Sequence, residues 1–170
     1  VLMGIDKAND LSPAKLAKIA QSILKASQKK FKQTSIDISA LTSEQHYLFA
    51  MALTQANYIF DEYKSKKNHC ILETIHLIST DSALNPQQLN LIHAVQTGQS
   101  WARDLGNRPG NIGFPEYLAE QAQALAVEYP ELLKVTVINE QQMADLGMHA
   151  FLAVSKGSDR PGRVITLEYK

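Results

Sequence analysis

Apolar positions in the first third of the chain alternate between helical and strand spacing. Ser12 is a favoured N-cap, and Pro13 suits the first helical position. The residues that follow at the spacing of one helical face are Leu16, Ile19, Ala20, Ile23 and Leu24. Residues 35–41 then alternate apolar and polar side chains, which predicts a strand.

A second helix is predicted from Thr42, because Thr42 and Gln45 form a capping-box pair. Its predicted packing surface covers two adjoining faces, with Leu48, Met51, Ala52, Gln55 and Ile59 on one, and Phe49, Leu53, Ala56 and Phe60 on the other. Residues 69–80 are rich in Ile, Leu and Thr without strict alternation, which is typical of a strand covered on both faces. We expect this strand to be central in its sheet.

Asn85 and Pro86 begin a third helix, which the pattern ends near Gly106. Its predicted face consists of Leu91, Ala94, Val95, Gly98, Ala102 and Leu105. A helix of about 20 residues spans roughly 30 Å, which is long enough to connect two domains.

Turn-forming residues at 107–111 separate this helix from another that starts at Pro115 and stops before Pro130. The predicted buried face of that helix consists of Leu118, Ala122, Leu125, Ala126 and Tyr129. A strand at 135–138 and a short helix from Asn139 to Leu146 follow, the latter ended by Gly147.

The chain closes on a strand at 163–170, in which Val164, Ile165 and Leu167 suggest a parallel sheet buried on both faces. Neither terminus has the pattern expected of a natural chain end. The succession of strands and helices predicts the α/β fold class.

Composition narrows the range of partners. The 170 residues are 45% hydrophobic, and Lys+Arg and Asp+Glu number 17 each, so the net charge is zero. No overall field attracts the chain to nucleic acid or an anionic membrane, and no apolar run reaches the roughly 20 residues that span a bilayer. Cys70 is the sole cysteine, which excludes an internal disulfide and favours the cytoplasm.

Three local patterns could carry chemistry, and each has a simpler interpretation. Ser12 and Lys15 match the S-x-x-K pattern of serine hydrolases, but Ser12 already serves as a cap, and no partner motif is present. Glu73 and His76 have a spacing that makes metal sites on helices, whereas on a strand they face opposite sides. The histidines lack metal-binding spacing; they are His46, His69, His76, His93 and His149.

Two lysine clusters leave nucleic-acid binding as a minor alternative. Their members are Lys25, Lys29, Lys30 and Lys32 around Phe31, and Lys64, Lys66 and Lys67. Such runs are usually solvated, and lysines near a helix C-terminus also complement its dipole. The loop at 157–162 lacks the spacing of a phosphate-binding loop and is interpreted as a turn.

Several segments after Ser100 carry a more specific signal: 102–112, 117–122, 146–154, 157–158 and 167–169. In this order they resemble the leucyl aminopeptidase (cytosol aminopeptidase) family. The resemblance implies an N-terminal macro-like α/β domain at 1–84, incomplete at its start, and a connecting helix at 85–109. Residues 110–170 would be the truncated start of an α/β metallopeptidase catalytic domain. The chain has Gly113, Phe114 and Pro115 where members often carry Cys-Thr-Pro, a departure at the start of a helix.

What the resemblance implies is a hydrolase, a metalloprotease that removes N-terminal residues from peptides with two divalent ions, zinc or manganese. It also implies a homohexamer in the cytoplasm. In the family, a lysine and several carboxylates hold the ions, in segments that do not occur in these 170 residues. We therefore expect no catalytic, metal-binding or substrate-binding residue in this chain. The alternative is a stand-alone macro-like module that binds a nucleotide or nucleic acid.

Overall fold

The computed structural model describes residues 11–67, 70–80 and 84–170. Helices and strands follow in the order α1 (Pro13–Ser27), β1 (Gln33–Asp37), α2 (Ser43–Ala56), β2 (Thr74–Ile78), α3 (Pro86–Asn107), α4 (Pro115–Glu128), β3 (Leu133–Ile138), α5 (Glu140–Asp145), α6 (His149–Ser155) and β4 (Val164–Tyr169). The predicted α/β class is confirmed. The chain divides into two compact units, Val1–Arg103 and Asp104–Lys170. The domain limits at 84 and 109 stay predictions.

Side-chain caps determine where most of the helices begin. Thr42 and Gln45 form the expected capping box, with the Thr42 N–H donating to Gln45 Oε1 at 3.0 Å. Asn139 and Gln142 form a second box, and Asn85 and Gln88 exchange the same pair of hydrogen bonds. Each box satisfies two backbone N–H groups that a helix start leaves without partners. Ser12 caps α1 as predicted, accepting from the Lys15 N–H.

The core of the first unit lies between α1, α2 and the two strands. Its buried residues are Leu11, Leu16, Ala20, Leu24, Ile38, Leu41, Phe49, Ala52 and Leu53. Ile36 of β1 and Ile75 and Leu77 of β2 pack against this cluster. The wide apolar arc predicted for α2 is confirmed, because its buried residues fall on more than one face.

His46 lies inside this core with its side chain paired. Its Nε2 is 2.9 Å from the carbonyl oxygen of Ile38. Because a carbonyl oxygen can only accept, the bond requires the tautomer that carries a proton on Nε2. A buried polar group stabilises a fold only when it is paired in this way. His46 therefore has a structural role.

Strands β1 and β2 pair in parallel, from Gln33 opposite Thr74 to Asp37 opposite Ile78. The prediction that the first strand reaches residue 41 is wrong, because the Asp37 carboxylate accepts from the Ser39 N–H and turns the chain. The second strand is likewise shorter than the predicted 69–80.

The stretch before β2 bonds to the loop after α1 instead of a strand. The N–H of Ile71 donates to Gln28 O, and that of Glu73 donates to Lys32 O. His76 and Ile78 are exposed, so among the described residues β2 is covered on one face only, contrary to prediction. Position 69 lies outside the described residues.

The long third helix is confirmed as one continuous element, but most of its predicted face is wrong, because only Val95 and Leu105 of that face are half-buried. Leu91 is 52% exposed, whereas the neighbouring Ile92 is 5% exposed. The half-buried residues Val95, Gln96 and Gln99 follow Ile92 at helical spacing. Polar glutamines on this stripe made a second, more apolar stripe look like the buried one. The helix predicted to include Ile59 and Phe60 also ends earlier, at Ala56.

The second unit packs α4 beside a two-stranded sheet. Ala119, Ala122 and Met143 are its buried apolar residues within the part of the chain that the structure describes. Small alanines allow α4 to approach closely, whereas the predicted face residues Leu118 and Tyr129 are exposed. Helix α6 was not predicted.

Strands β3 and β4 are antiparallel, with Val135 opposite Leu167. The prediction of a parallel strand buried on both faces is therefore wrong for β4. Leu167 and Tyr169 are exposed. An apolar, β-branched run indicates a strand but carries no information about the direction of its partner.

Across residues 11–67, 70–80 and 84–170, no helix combines the length and the apolar character that crossing a bilayer requires.

Substitution of Phe49 tests whether the core of the first unit is assigned correctly. It is 2% exposed within the α1–α2 cluster, whereas Phe31 is 53% exposed. Phe49→Ala should lower the free energy of unfolding by about 3–5 kcal/mol, through lost burial and the cavity left behind. Phe31→Ala should change it by less than about 0.5 kcal/mol. Urea unfolding measures both, and equal effects would show that the core is misassigned.

Candidate functional site

The residues that lead into β4 are held by a polar network within the second unit. The Gly162 N–H donates to Glu140 Oε1 at 2.9 Å, and the Gly162 carbonyl accepts from Arg163 Nη1 at 2.9 Å. Arg163 Nη2 also forms an ion pair with Glu116 Oε2 at the start of α4. We call Glu116, Glu140, Gly162 and Arg163 the Gly162 clamp. It connects the start of β4 to the first turns of α4 and α5.

Burial of the arginine distinguishes the pair of Arg163 with the 48% exposed Glu116 from an ordinary surface ion pair. The Arg163 side chain is 17% exposed, so solvent screens its interactions only in part. Lys134 and Glu168, which pair across β3 and β4 at 3.4 Å, are both well exposed. Exposed pairs of that kind contribute about 0.2–1 kcal/mol. Removing the charge should therefore lower the free energy of unfolding more at Arg163 than at Lys134.

Sterics require glycine at position 162. A Cβ there would lie 2.7 Å from the Cβ of Ser155, the last residue of α6. That separation is well inside van der Waals contact, so the chain would have to move. The end of α6 therefore packs directly on the backbone that the clamp holds.

Glu140 is surrounded by donors and positive charge. Hydrogen bonds from the Ser155 hydroxyl and then the Gly162 N–H lower the pKa of the Glu140 carboxyl from its ordinary value. Burial opposes them, and the charges of Arg163 and Lys156 add smaller lowering effects. The Ser155 hydroxyl also lies 3.2 Å from Leu152 O, and its single proton can serve one acceptor at a time. The charged carboxylate is the stronger acceptor of the two.

The second arginine of the loop contacts the same helix start. Phe114 is the N-cap of α4 and provides no side-chain hydrogen bond. The guanidinium of Arg160 lies 4.5 Å from the centre of the Phe114 ring, a cation–π distance. The predicted departure from the family pattern thus falls at the helix start, where Phe114 makes an aromatic contact and no capping hydrogen bond.

The turn after α3 is closed by local contacts. The N–H groups of Ile112 and Gly113 both donate to Pro109 O at 2.8 Å. A Cβ at Gly113 would lie 3.3 Å from Arg108 Cβ, so glycine fits this turn best. Arg108 lies 5.1 Å from the centre of the Tyr117 ring. These contacts hold the turn against α4.

The structure does not bring metal-binding side chains together. Within residues 11–67, 70–80 and 84–170, no three His, Cys, Asp or Glu residues lie close enough to hold an ion. His76, His93 and His149 are exposed on separate elements. Glu73 instead pairs with Lys32 at 3.5 Å.

Two clefts in the first unit are weaker candidates for a functional site than the Gly162 clamp. One of about 240 Å³ is lined mainly by apolar residues of α2, β2 and α3, including Leu53, Leu77 and Ile92. The other, of about 410 Å³, is lined in part by Lys25 and Lys29. Because Lys25 lies in the last turn of α1, it complements the helix dipole, which accounts for its position without a ligand.

Comparison with known proteins identifies the second unit. Residues 100–170 match the family described as cytosol aminopeptidase family, catalytic domain. The match includes every residue of the Gly162 clamp, so the clamp lies within the stretch that is similar to that catalytic domain.

Relatives extend the likeness to nearly the whole chain. Probable cytosol aminopeptidases of Acinetobacter baumannii and Acinetobacter baylyi are each 68% identical over 99% of the chain. One from Pseudomonas syringae pv. tomato is 34% identical over 100% of the chain. The chain spans 35%, 35% and 36% of the length of these relatives.

Solved structures share the fold. A tomato leucine aminopeptidase variant matches with a TM-score of 0.84 and 21% identity, over 96% of this chain and 34% of that one. The bottromycin maturation enzyme BotP in complex with Mn matches with a TM-score of 0.78 and 21% identity, over 96% and 34%. At this identity the likeness concerns the fold alone.

The interpretation of residues 157–162 as a simple turn does not predict the clamp, which forms around the last of these residues. Glu140 and Gly162 lie 22 positions apart, and no local spacing joins them. The available signal was a glycine between two arginines just before a strand of the aminopeptidase catalytic domain. That pattern does not indicate which carboxylates the arginines contact.

Glu140→Gln tests the electrostatic part of the clamp, because glutamine keeps an acceptor oxygen for Gly162 but removes the charge. Since folding lowers the pKa of Glu140, the charged form stabilises the fold above its ordinary titration range, and this stabilisation is lost as pH falls through the folded-state pKa. The variant should therefore melt below the wild type at pH 7, and the difference should shrink as pH decreases toward and below 4.

Glu131→Gln is the matched control, since Glu131 is an exposed carboxylate outside the clamp. Thermal unfolding at several pH values, with hydrogen exchange at Gly162 to identify the unit, measures both variants. A difference between Glu140→Gln and wild type that stays constant with pH would contradict the assignment.

Proposed function

We propose that the complete protein is an aminopeptidase that hydrolyses N-terminal residues from peptides. The observation that carries this proposal is the 68% identity of nearly the whole chain to probable cytosol aminopeptidases. The match of residues 100–170 to the catalytic domain of that family supports it. The chain covers 35% of those relatives, so the activity belongs to the longer protein.

Two divalent ions, manganese or zinc, are the proposed cofactors of the complete enzyme. The residues that the structure describes do not form such a centre, because no three His, Cys, Asp or Glu side chains among them lie together. A bridged pair of ions needs several carboxylate or comparable ligands around one cavity. We therefore assign the metal and catalytic residues to the part of the relatives that this chain does not cover.

The role proposed for this chain is to build and position part of the catalytic domain. Its clamp and its capped helices provide fixed positions for α4, α5 and β4. Assembly as a homohexamer and a cytoplasmic location are further proposals, which follow from the family resemblance. The zero net charge is compatible with both.

A stand-alone nucleotide-binding or nucleic-acid-binding module is not supported. The relatives that match 99% of the chain are named as peptidases and are nearly three times as long. Within the described residues, Lys32 is paired with Glu73 and Lys25 complements a helix dipole, so two lysines of the first basic cluster have structural roles.

Metal-dependent peptidase assays test this proposal. The complete protein should release leucine from a leucyl substrate with Mn or Zn, and a chelator should abolish the release until metal is restored. The 170-residue chain should be inactive under the same conditions, because it lacks the ligands. Heat-treated complete protein is the control for contaminating peptidases. An inactive complete protein, or an active purified chain, would refute the proposal.

A further inference from the structure

Strand β4 pairs along one of its two edges. Among the described residues, the sheet of the second unit consists of β3 and β4 alone. Lys170 continues this pairing past the end of β4, because its N–H donates to Leu132 O at 3.0 Å. We call the edge of β4 that faces away from β3 the outer edge. Within the part of the chain that the structure describes, no strand lies beside it.

The register shows which backbone groups point to the outer edge. Opposite residues of an antiparallel pair alternate between those that exchange backbone hydrogen bonds and those that do not. Lys170 bonds to Leu132, so the next pair, Tyr169 opposite Leu133, is one that does not. Alternate residues of β4 therefore direct their N–H and C=O groups away from β3. These outer residues are Ile165, Leu167 and Tyr169, and the inner residues, which bond to β3, are Val164, Thr166 and Glu168.

Apolar side chains at the outer edge are left uncovered. Leu167 lies opposite Val135, so the two side chains share the half-buried face of the sheet. Helix α4, which packs on this sheet, contacts β3 more than β4. Accordingly, Leu167 is 45% exposed, and Tyr169 on the same face is 78% exposed. The apolar face of β4 therefore extends beyond the helix that covers β3.

Strand β4 lacks the features that protect edge strands in natural proteins. Such edges usually carry a proline, a bulge or an inward-pointing charge. The register with β3 runs without interruption through Val164–Tyr169, which contains no proline. Glu168, its charged residue, lies on the opposite face, where it pairs with Lys134 at 3.4 Å. Because an open apolar edge is a template for association between copies, we expect the complete protein to cover it.

The length of the relatives indicates what covers the outer edge. A relative from Acinetobacter baumannii is 68% identical to this chain, which spans 35% of it. Most of the complete protein therefore lies outside these 170 residues. A strand from the same polypeptide would also prevent the association between copies that an open edge favours.

We propose that the outer edge of β4 is a docking edge for one further β-strand, which comes from the part of the complete protein outside these 170 residues. Hydrogen bonds from that strand to the N–H and C=O groups of the outer residues fix its register. Its side chains lie beside Leu167 and Tyr169 on the apolar face of the sheet. This inference goes beyond the proposed peptidase activity and does not depend on it.

Hydrogen exchange on the complete protein, resolved to single amides, tests this inference. The amides of the inner residues are the internal control, because they bond to β3 with or without a further strand. We expect the amides of the outer residues to exchange at least about a hundredfold more slowly than in unstructured peptide. Their rates should lie within about tenfold of those of the inner residues.

Lysine substitutions at adjacent positions provide a matched pair of variants. Leu167→Lys puts a charge on the face that the further strand would cover, whereas Thr166→Lys puts it on the exposed opposite face. The outer amides of Leu167→Lys should exchange at least about tenfold faster than those of Thr166→Lys. The wild-type measurement needs no variant, so it decides the question even if Leu167→Lys does not fold.

Outer amides that exchange nearly as fast as unstructured peptide, beside protected inner amides, would overturn the inference, because the edge would be open. Protection that disappears on about hundredfold dilution, together with a fall in molecular mass, would also contradict it, since a second copy would then occupy the edge. Equal exchange of the outer amides in the two lysine variants would refute it as well. None of these measurements reports peptidase activity, so each of these results leaves the proposed function intact.

Discussion

The backbone of Gly162 is the constraint on which the second unit depends. Few large apolar side chains are fully buried there within the described residues, so packing alone stabilises the unit weakly. Glu140 and Arg163 bond to the backbone of this residue, and Glu116 pairs with the Arg163 guanidinium. Because Ser155 leaves no room for a Cβ at 162, close packing requires glycine at the residue that these polar contacts hold. The location of β4 follows from these contacts.

The two units are held by different kinds of interaction. In the first unit, α1 and α2 enclose a continuous apolar cluster around Phe49, and the paired His46 fits within it. In the second, small alanines of α4 permit close approach and a charged network supplies much of the order. Charged networks respond to pH and to salt more than apolar cores do. The second unit should therefore be the more sensitive to solution conditions.

Local features were predictable from sequence, and features that depend on distant partners were not. The caps at Ser12, Thr42 and Asn139 were correct because each depends on residues three positions apart. The direction of β4 and most of the buried face of α3 were wrong, because both depend on what packs against them. The clamp was missed for the same reason. The family resemblance succeeded because its segments combine many such positions in one order.

Metal binding tests most directly the claim that this chain is scaffold for a cytosol aminopeptidase and that its metal centre lies elsewhere in the protein. Titration calorimetry with Mn and Zn can be run on the 170-residue chain and on the complete protein. The account predicts two bound ions per complete protein and no saturable site in the chain, whose described residues bring no three potential ligands together. Stoichiometric binding of two ions by the chain alone would contradict it.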